Sequence, residues 1–280
     1  MADSCSLRLA FVEGLLSASS KLAEVSNQGH SASTGVLLDL RPDSVGSCAV
    51  CYEACAIGNK TTLSSSASMI KVPPLKNDKK TLSNIEFSKD AADYDHARRY
   101  SSLRESYPKI VAEALSQPFN TVLDIGCGTG ALLMMIHEGK KDVRLCGIDI
   151  SEEMIKIAHE KLGNAADLRV SDSEKLSFQT GLFDLILCTF SFHHHPNPAV
   201  VFKEMHRVLS PDGRIIMADP LAPTPLRQVM NMLIPSMNDG TVHYYSKKEM
   251  FRLAESAGAT VSKWAKLNWH SYLMVAKSLT

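Results

Sequence analysis

Thr121-Val122-Leu123-Asp124-Ile125-Gly126-Cys127-Gly128-Thr129-Gly130 is a short apolar run that stops at an acid and a glycine-rich turn, and the run Ala131 to His137 follows it directly. An apolar run bounded by glycines reads as a buried strand, and the segment after it as the start of a helix. Glycines let the backbone approach a ligand closely and take up angles closed to other residues, while the free N–H groups of a helix start favour a carboxylate or phosphate. The turn is therefore a candidate ligand site. Its spacing is G-x-G-x-G with Asp124 two residues ahead of the first glycine, whereas a dinucleotide-binding turn requires G-x-G-x-x-G.

Four landmarks follow in order. Val143 to Ile148 is a second apolar run ending at Asp149, where an acid can accept two hydrogen bonds from ribose hydroxyls, or cap the helix that Ser151-Glu152-Glu153 begins. Leu168-Arg169-Val170 leads to Asp172-Ser173; Leu182 to Cys188 opens onto Thr189-Phe190-Ser191-Phe192-His193-His194-His195; Gly213 to Asp219 reads as a fifth strand. With D-x-G-x-G-x-G at residues 124 to 130, this set resembles the class I S-adenosylmethionine-dependent methyltransferases. The His193 to Pro198 loop and the Leu209 to Arg214 turn resemble the branch that includes the ubiquinone and menaquinone C-methyltransferases. The resemblance covers roughly residues 88 to 280. It implies a Rossmann-like α/β fold: a mainly parallel seven-stranded sheet with an antiparallel last strand, helices on both faces, and an N-terminal appendage outside it. Val261 to Trp264 and Ser271 to Ala276 fit the antiparallel sixth and seventh strands.

The resemblance also implies S-adenosyl-L-methionine as cofactor, held by Tyr94, Asp124, Gly126, Cys127, Gly128, Gly130, Asp149, Ile150, Asp172, Ser173 and Thr189. Each has a plainer reading beside this one. Asp172 alone is a loop acid, Tyr94 a half-buried aromatic anchoring the short helical cap at Ala91 to Tyr100, and Cys127, Cys146 and Cys188 small buried thiols beside strands. A sulfonium already makes its methyl group electrophilic, so the protein mainly has to align a nucleophile and exclude water. An alcohol, phenol or acidic carbon would also need a base, and the His193-His194-His195 run lies where the family's methyl group sits. His194 is the candidate. Neighbouring side chains diverge, so the three histidines cannot converge on one metal ion.

Composition fits this reading. The 280 residues balance 30 Lys and Arg against 30 Asp and Glu, which gives no electrostatic case for a nucleic-acid partner. No apolar run reaches the roughly 20 residues that span a bilayer, and the first residues carry no secretion or transit pattern. Seven cysteines, partly in core strands, fit a reducing compartment, the cytoplasm by default.

Residues 1 to 88 are serine-rich, with Ser64 to Ser68, Pro73-Pro74 and the charged run Lys76 to Lys80 reading as linker. Leu7 to Val25 has one helix-like stripe that would suit docking to a protein partner. Cys48-x-x-Cys51-x-x-x-Cys55 offers three thiolates for zinc, with His30 or Cys5 as a fourth ligand, or for a cluster; with no second C-x-x-C pair, reduced cysteines and no metal are the reading taken. After the fifth strand, residues 219 to 227 are too proline-rich to be regular, and the methionines from Met230 to Met237 suit either core packing or an apolar substrate pocket. The expected function is methyl transfer to a small molecule at carbon, oxygen or nitrogen, with an inactive cofactor-binding regulatory or scaffold protein as the alternative.

Overall fold

The computed structural model describes residues 79–237 and 239–278. The Leu7 to Val25 stripe and Cys48, Cys51 and Cys55 lie outside these residues. Strands β1 (Thr121–Ile125), β2 (Arg144–Asp149), β3 (Ala166–Val170), β4 (Phe183–Thr189), β5 (Leu209–Pro220), β6 (Ala259–Lys266) and β7 (Ser271–Ser278) form one sheet in the order β3-β2-β1-β4-β5-β7-β6. β1 to β5 pair in parallel, and β7 enters antiparallel to both β5 and β6. The strand order reverses between β1 and β4, so the carboxyl ends of these two strands open a crevice, the place where open α/β sheets bind ligands.

Alternation along each strand divides the core into two layers. Leu123, Ile125, Ile186, Cys188, Ile215 and Met217 face one side with Val201, Phe202 and Met205 of α5 (Pro198–Val208) and Met250 of α7 (Lys247–Ser256). Val122, Leu145, Leu185, Leu187 and Ile216 face the other with Ile110 of α2 (Tyr107–Leu115), Leu133 and Ile136 of α3 (Ala131–Gly139) and Ala158 of α4 (Glu152–Leu162). Burial on both faces explains the nearly continuous apolar strands. Local signals agree with this packing. Ser151 caps α4 by accepting from Met154 N, with Glu152 and Glu153 in its first turn, and Ser246 and Glu249 form a reciprocal capping box at α7.

One expectation changes. The proline-rich segment after β5 contains helix α6 (Thr224–Leu233), because Pro225 falls in its first turn, where a missing N–H costs nothing. None of its residues is buried: of the apolar residues between Met230 and Met237, Met232 and Leu233 are exposed, as are Leu226 and Val229 before them, whereas Ile234 just after the helix is buried. The described residues open with helix α1 (Lys79–Asp90). That helix belongs to the unit running from Met69 to Thr280: Lys79 Nζ donates to Ile234 O at 3.2 Å and Met237 O at 3.1 Å, and Ser88 Oγ lies 2.9 Å from Ser151 Oγ. Among the described residues no helix is long and apolar enough to cross a membrane.

Arg214 of β5 ties the α2 end to the sheet. It is buried, and its guanidinium donates to Ala114 O at 2.5 Å and Gln117 O at 3.0 Å, satisfying carbonyls that the helix end leaves open. Arg214→Met is expected to cost about 2–4 kcal/mol, because it strands these acceptors away from water. Urea unfolding of the two proteins measures this, and a loss within about 0.5 kcal/mol would match an ordinary surface change instead.

Candidate active site

The turn after β1 is built by three left-handed glycines, with φ of 72° at Gly126, 53° at Gly128 and 75° at Gly130. Only glycine takes this region freely. A Cβ on Gly126 would stand 2.5 Å from Ser191 Oγ, so the β4 loop lies directly on the turn. A Cβ on Gly128 would meet only Met154 Sδ at 4.0 Å and would otherwise project into open space. Gly128 N donates to Asp149 Oδ2 at 2.9 Å and Ser151 N to Asp149 Oδ1 at 2.9 Å, so one carboxylate holds the turn and the α4 start together. Each of its oxygens keeps a lone pair for a ligand.

Two adjoining lobes form the crevice. Tyr94, Asp124, Gly126, Cys127, Gly128, Asp149 and Thr189 line one lobe. Gly126, Asp149, Ile150, Asp172, Ser173 and His194 line the other. The residues expected from the sequence thus come together, with one exception. Gly130 lies on neither wall; a Cβ there would sit 2.9 Å from Leu162 Cδ1 and 3.1 Å from Ala158 Cβ, so its bareness serves the packing of α4. The expected cap at residues 91 to 100 is not one helix but two short 3₁₀ turns, Ala91–Asp93 and Arg98–Tyr100. Asp95 between them accepts from Thr129 Oγ1 at 2.8 Å and pairs with Lys161.

Other wall residues carried no readable signal. Lys80, Ser83 and Phe87 come from α1, inside the segment that reads as linker, and Tyr107 and Ser191 also line the crevice. Phe190, also on a wall, has φ of 52°, the one left-handed non-glycine among the described residues. Strain of this kind gathers at ligand sites.

Buried charge marks the crevice. Asp124 is 1% exposed, its Oδ1 has no hydrogen-bond partner among the described residues, and burial together with Asp149 raises its pKa to about 7. Burial also raises Asp149, against the backbone N–H groups of Ser151, Gly128 and Ile150. Two carboxyl groups so placed invite a cation and hydrogen-bond donors. Burial drives the Cys127 and Cys188 thiols upward, which fits inert core thiols.

The three histidines diverge. His195 Nδ1 lies 3.1 Å from Ser173 Oγ, and burial followed by His193 lowers its pKa to about 4. His194 packs edge-on to Phe87 at 5.0 Å between ring centroids, and burial lowers it well below the usual imidazole range. It has no carboxylate partner among the described residues. His193 has one: its Nδ1 lies 2.8 Å from Asp219 Oδ1. Neighbouring sequence positions cannot reveal this, since the partner is 26 residues away on β5.

Residues 123–217 match the family model of a methyltransferase domain. The chain is 31% identical over 164 residues to a malonyl-[acyl-carrier protein] O-methyltransferase of Alcanivorax borkumensis, covering 58% of this chain and 55% of that protein. It is 31% identical over 156 residues to a demethylmenaquinone methyltransferase of Deinococcus radiodurans, covering 52% and 64%. The chain thus spans between half and two thirds of the length of these curated relatives. Among solved structures, the 1,6-didemethyltoxoflavin-N1-methyltransferase of Burkholderia thailandensis, holding its substrate and S-adenosylhomocysteine, superposes with a TM-score of 0.55 at 18% identity, covering 75% of this chain and 94% of that one. The matched stretch runs from β1 into β5, so the glycine turn, Asp149 and the β4 loop all lie within it, on a sheet with the fold of these methyltransferases.

The raised Asp124 carboxyl gives a signed expectation. Its folded pKa of about 7 exceeds the ordinary 3.8, so the folded state favours the protonated form and loses stability as pH rises from about 4 through 7. Asp124→Asn is therefore expected to stabilise the ligand-free protein by about 4 kcal/mol at pH 8 and by almost nothing at pH 4. Thermal melts at pH 4, 6 and 8 read the difference. A gain that does not change with pH would show that buried charge is not its source.

Proposed function

We propose that this chain is an S-adenosylmethionine-dependent methyltransferase acting on a small-molecule acceptor, with the crevice between β1 and β4 as its cofactor site. The observation that carries the proposal is the pair of buried acids, Asp124 and Asp149, flanking a glycine turn whose middle residue has open space where a side chain would be. The residues fit the group. Asp124 Oδ1, an acceptor buried without a partner, suits the amino-acid ammonium, and the free lone pairs of Asp149 suit the ribose hydroxyls. Ile150, Asp172 and Ser173 form the wall suited to the adenine, while Tyr94, Cys127 and Thr189 border the lobe beside the turn.

When bound, this cofactor supplies a sulfonium-activated methyl group that needs no further activation. The chain's own task is to hold the acceptor in line with that carbon and keep water out. Phe87, Tyr94, Tyr107 and Phe190 put aromatic surface on the lobe that also holds Asp124, Gly128 and Thr189, which supports a dry, shaped site. Cys127, Cys146 and Cys188 are free and buried, which supports a reducing compartment such as the cytoplasm.

Asp149→Ala is expected to weaken S-adenosylhomocysteine binding by 10-fold or more, about 1.5–3 kcal/mol for a charge-assisted hydrogen bond, measured by calorimetry. Unchanged affinity in a protein of normal melting temperature would sink the cofactor assignment. We also place the domain start near 69 and not at 89. A protein beginning at Met69 should keep the melting shift that S-adenosylhomocysteine induces, whereas one beginning at Ala91 should lose most of it with Lys80, Ser83 and Phe87. Equal shifts would show that α1 is no part of the site.

A further inference from the structure

Asp219 ends β5, 1% exposed, and the side chain it meets is His193 on the loop after β4. A carboxylate only accepts, so the imidazole's Nδ1–H donates to Asp219 Oδ1 and its second nitrogen, Nε2, carries the lone pair. Nε2 has no hydrogen-bond partner among the described residues, and it is not one of the buried polar atoms that lack one, so it reaches solvent. On one side the ring lies 4.1 Å from that of His194, which lines the crevice. On the other it stacks with Tyr244 at 5.7 Å and 16°, and Val242 N donates to His193 O at 2.8 Å. His193 thus stands between the cofactor crevice and the segment 221–245 that follows β5.

We propose that His193 is the general base that removes the proton from the methyl acceptor, that Asp219 positions it, and that the acceptor is a hydroxyl or carbon acid such as a phenol or an enolisable carbonyl. The proposal rests on the methyltransferase reading above. Carboxylate acceptors are already anionic at neutral pH and neutral amines already hold a free lone pair, so neither has use for a carboxylate-backed imidazole. A phenol or an enolisable carbonyl does. His193 Nε2 takes the O–H or C–H proton as the acceptor atom bonds to the methyl carbon; the carbon–sulfur bond breaks with its electron pair on sulfur, leaving a neutral thioether. The proton held on the imidazolium beside Asp219 then passes to water. His194 takes the Phe87 side of the run, and the uncharged form to which burial confines it adds no competing charge beside His193. The groups around the pair are Tyr244 with Asp239 near it, His194 and His195, and Tyr245 and Tyr272 within the field of Asp219; burial raises all three phenols, which leaves them neutral.

The test uses the full chain saturated with S-adenosylhomocysteine for spectroscopy and S-adenosylmethionine for turnover. Nitrogen-15 NMR of the imidazoles is expected to show His193 protonated at Nδ1. With 1,4-dihydroxynaphthalene and acetylacetone as probes, His193→Gln should lower kcat about 100-fold with KM and S-adenosylhomocysteine affinity little changed. Asp219→Asn should move the acidic limb of the kcat profile to lower pH, and Asp219→Glu should recover part of the rate. The Nε2–H tautomer in the parent protein, an unaffected kcat in His193→Gln, transfer to benzoate in preference to both probes, or no transfer to either probe by a protein that binds S-adenosylhomocysteine would each overturn the proposal. Failure to bind S-adenosylhomocysteine would instead overturn the reading it rests on.

Discussion

The contact of the β4 loop with the glycine turn governs the rest of the site. Ser191 Oγ donates to Ile125 O at 3.1 Å and occupies the space where a side chain on Gly126 would be. On the other side, Gly126 N and Cys127 N both donate to Ile148 O at 2.9 Å. The carboxyl ends of three strands are therefore fastened at one residue. A larger residue there would push β4 away from β1, and with it the histidine loop. Because Asp149 fastens the same turn from the β2 side, the acids and the glycine turn that line the crevice are fixed to the sheet rather than left on a free loop, which is what holding a reactive geometry requires.

Much of this was legible in the sequence, for reasons that can be stated residue by residue. The strands were readable because both faces of a parallel sheet are buried, so Val122, Leu123, Leu185 and Ile186 all had to be apolar. The acids at strand ends were readable because a charge that terminates an apolar run must lie at the sheet's edge. What escaped was set by distance along the chain. Lys80, Ser83 and Phe87 come from a helix whose composition reads as linker, and its role follows only from contacts to residues more than 60 positions away. Helix α6 escaped because prolines ordinarily deny helix, except in the first turn, where Pro225 stands.

The histidine run shows the same limit at finer grain. Three identical side chains in succession differ only in what the fold sets beside them: Asp219 and Tyr244 at His193, Phe87 at His194, Ser173 at His195. Sequence placed the run at the right end of β4. It selected His194, whereas the acidic partner belongs to His193, and that preference depends on a β4–β5 pairing that no local pattern encodes.

Lys80 pairs with Asp172 at 2.7 Å and Glu174 at 2.8 Å, and so fastens α1 at the wall of the crevice by partly exposed charges. Such pairs contribute about 0–1 kcal/mol each and are screened over roughly 8 Å at physiological ionic strength. The sheet beneath is held by apolar burial, which ordinary salt concentrations barely alter. Ionic strength therefore acts on this molecule locally: it weakens the charged contacts of α1 at the crevice wall while the body of the domain keeps its stability, so this wall and the sheet are held by different physical forces.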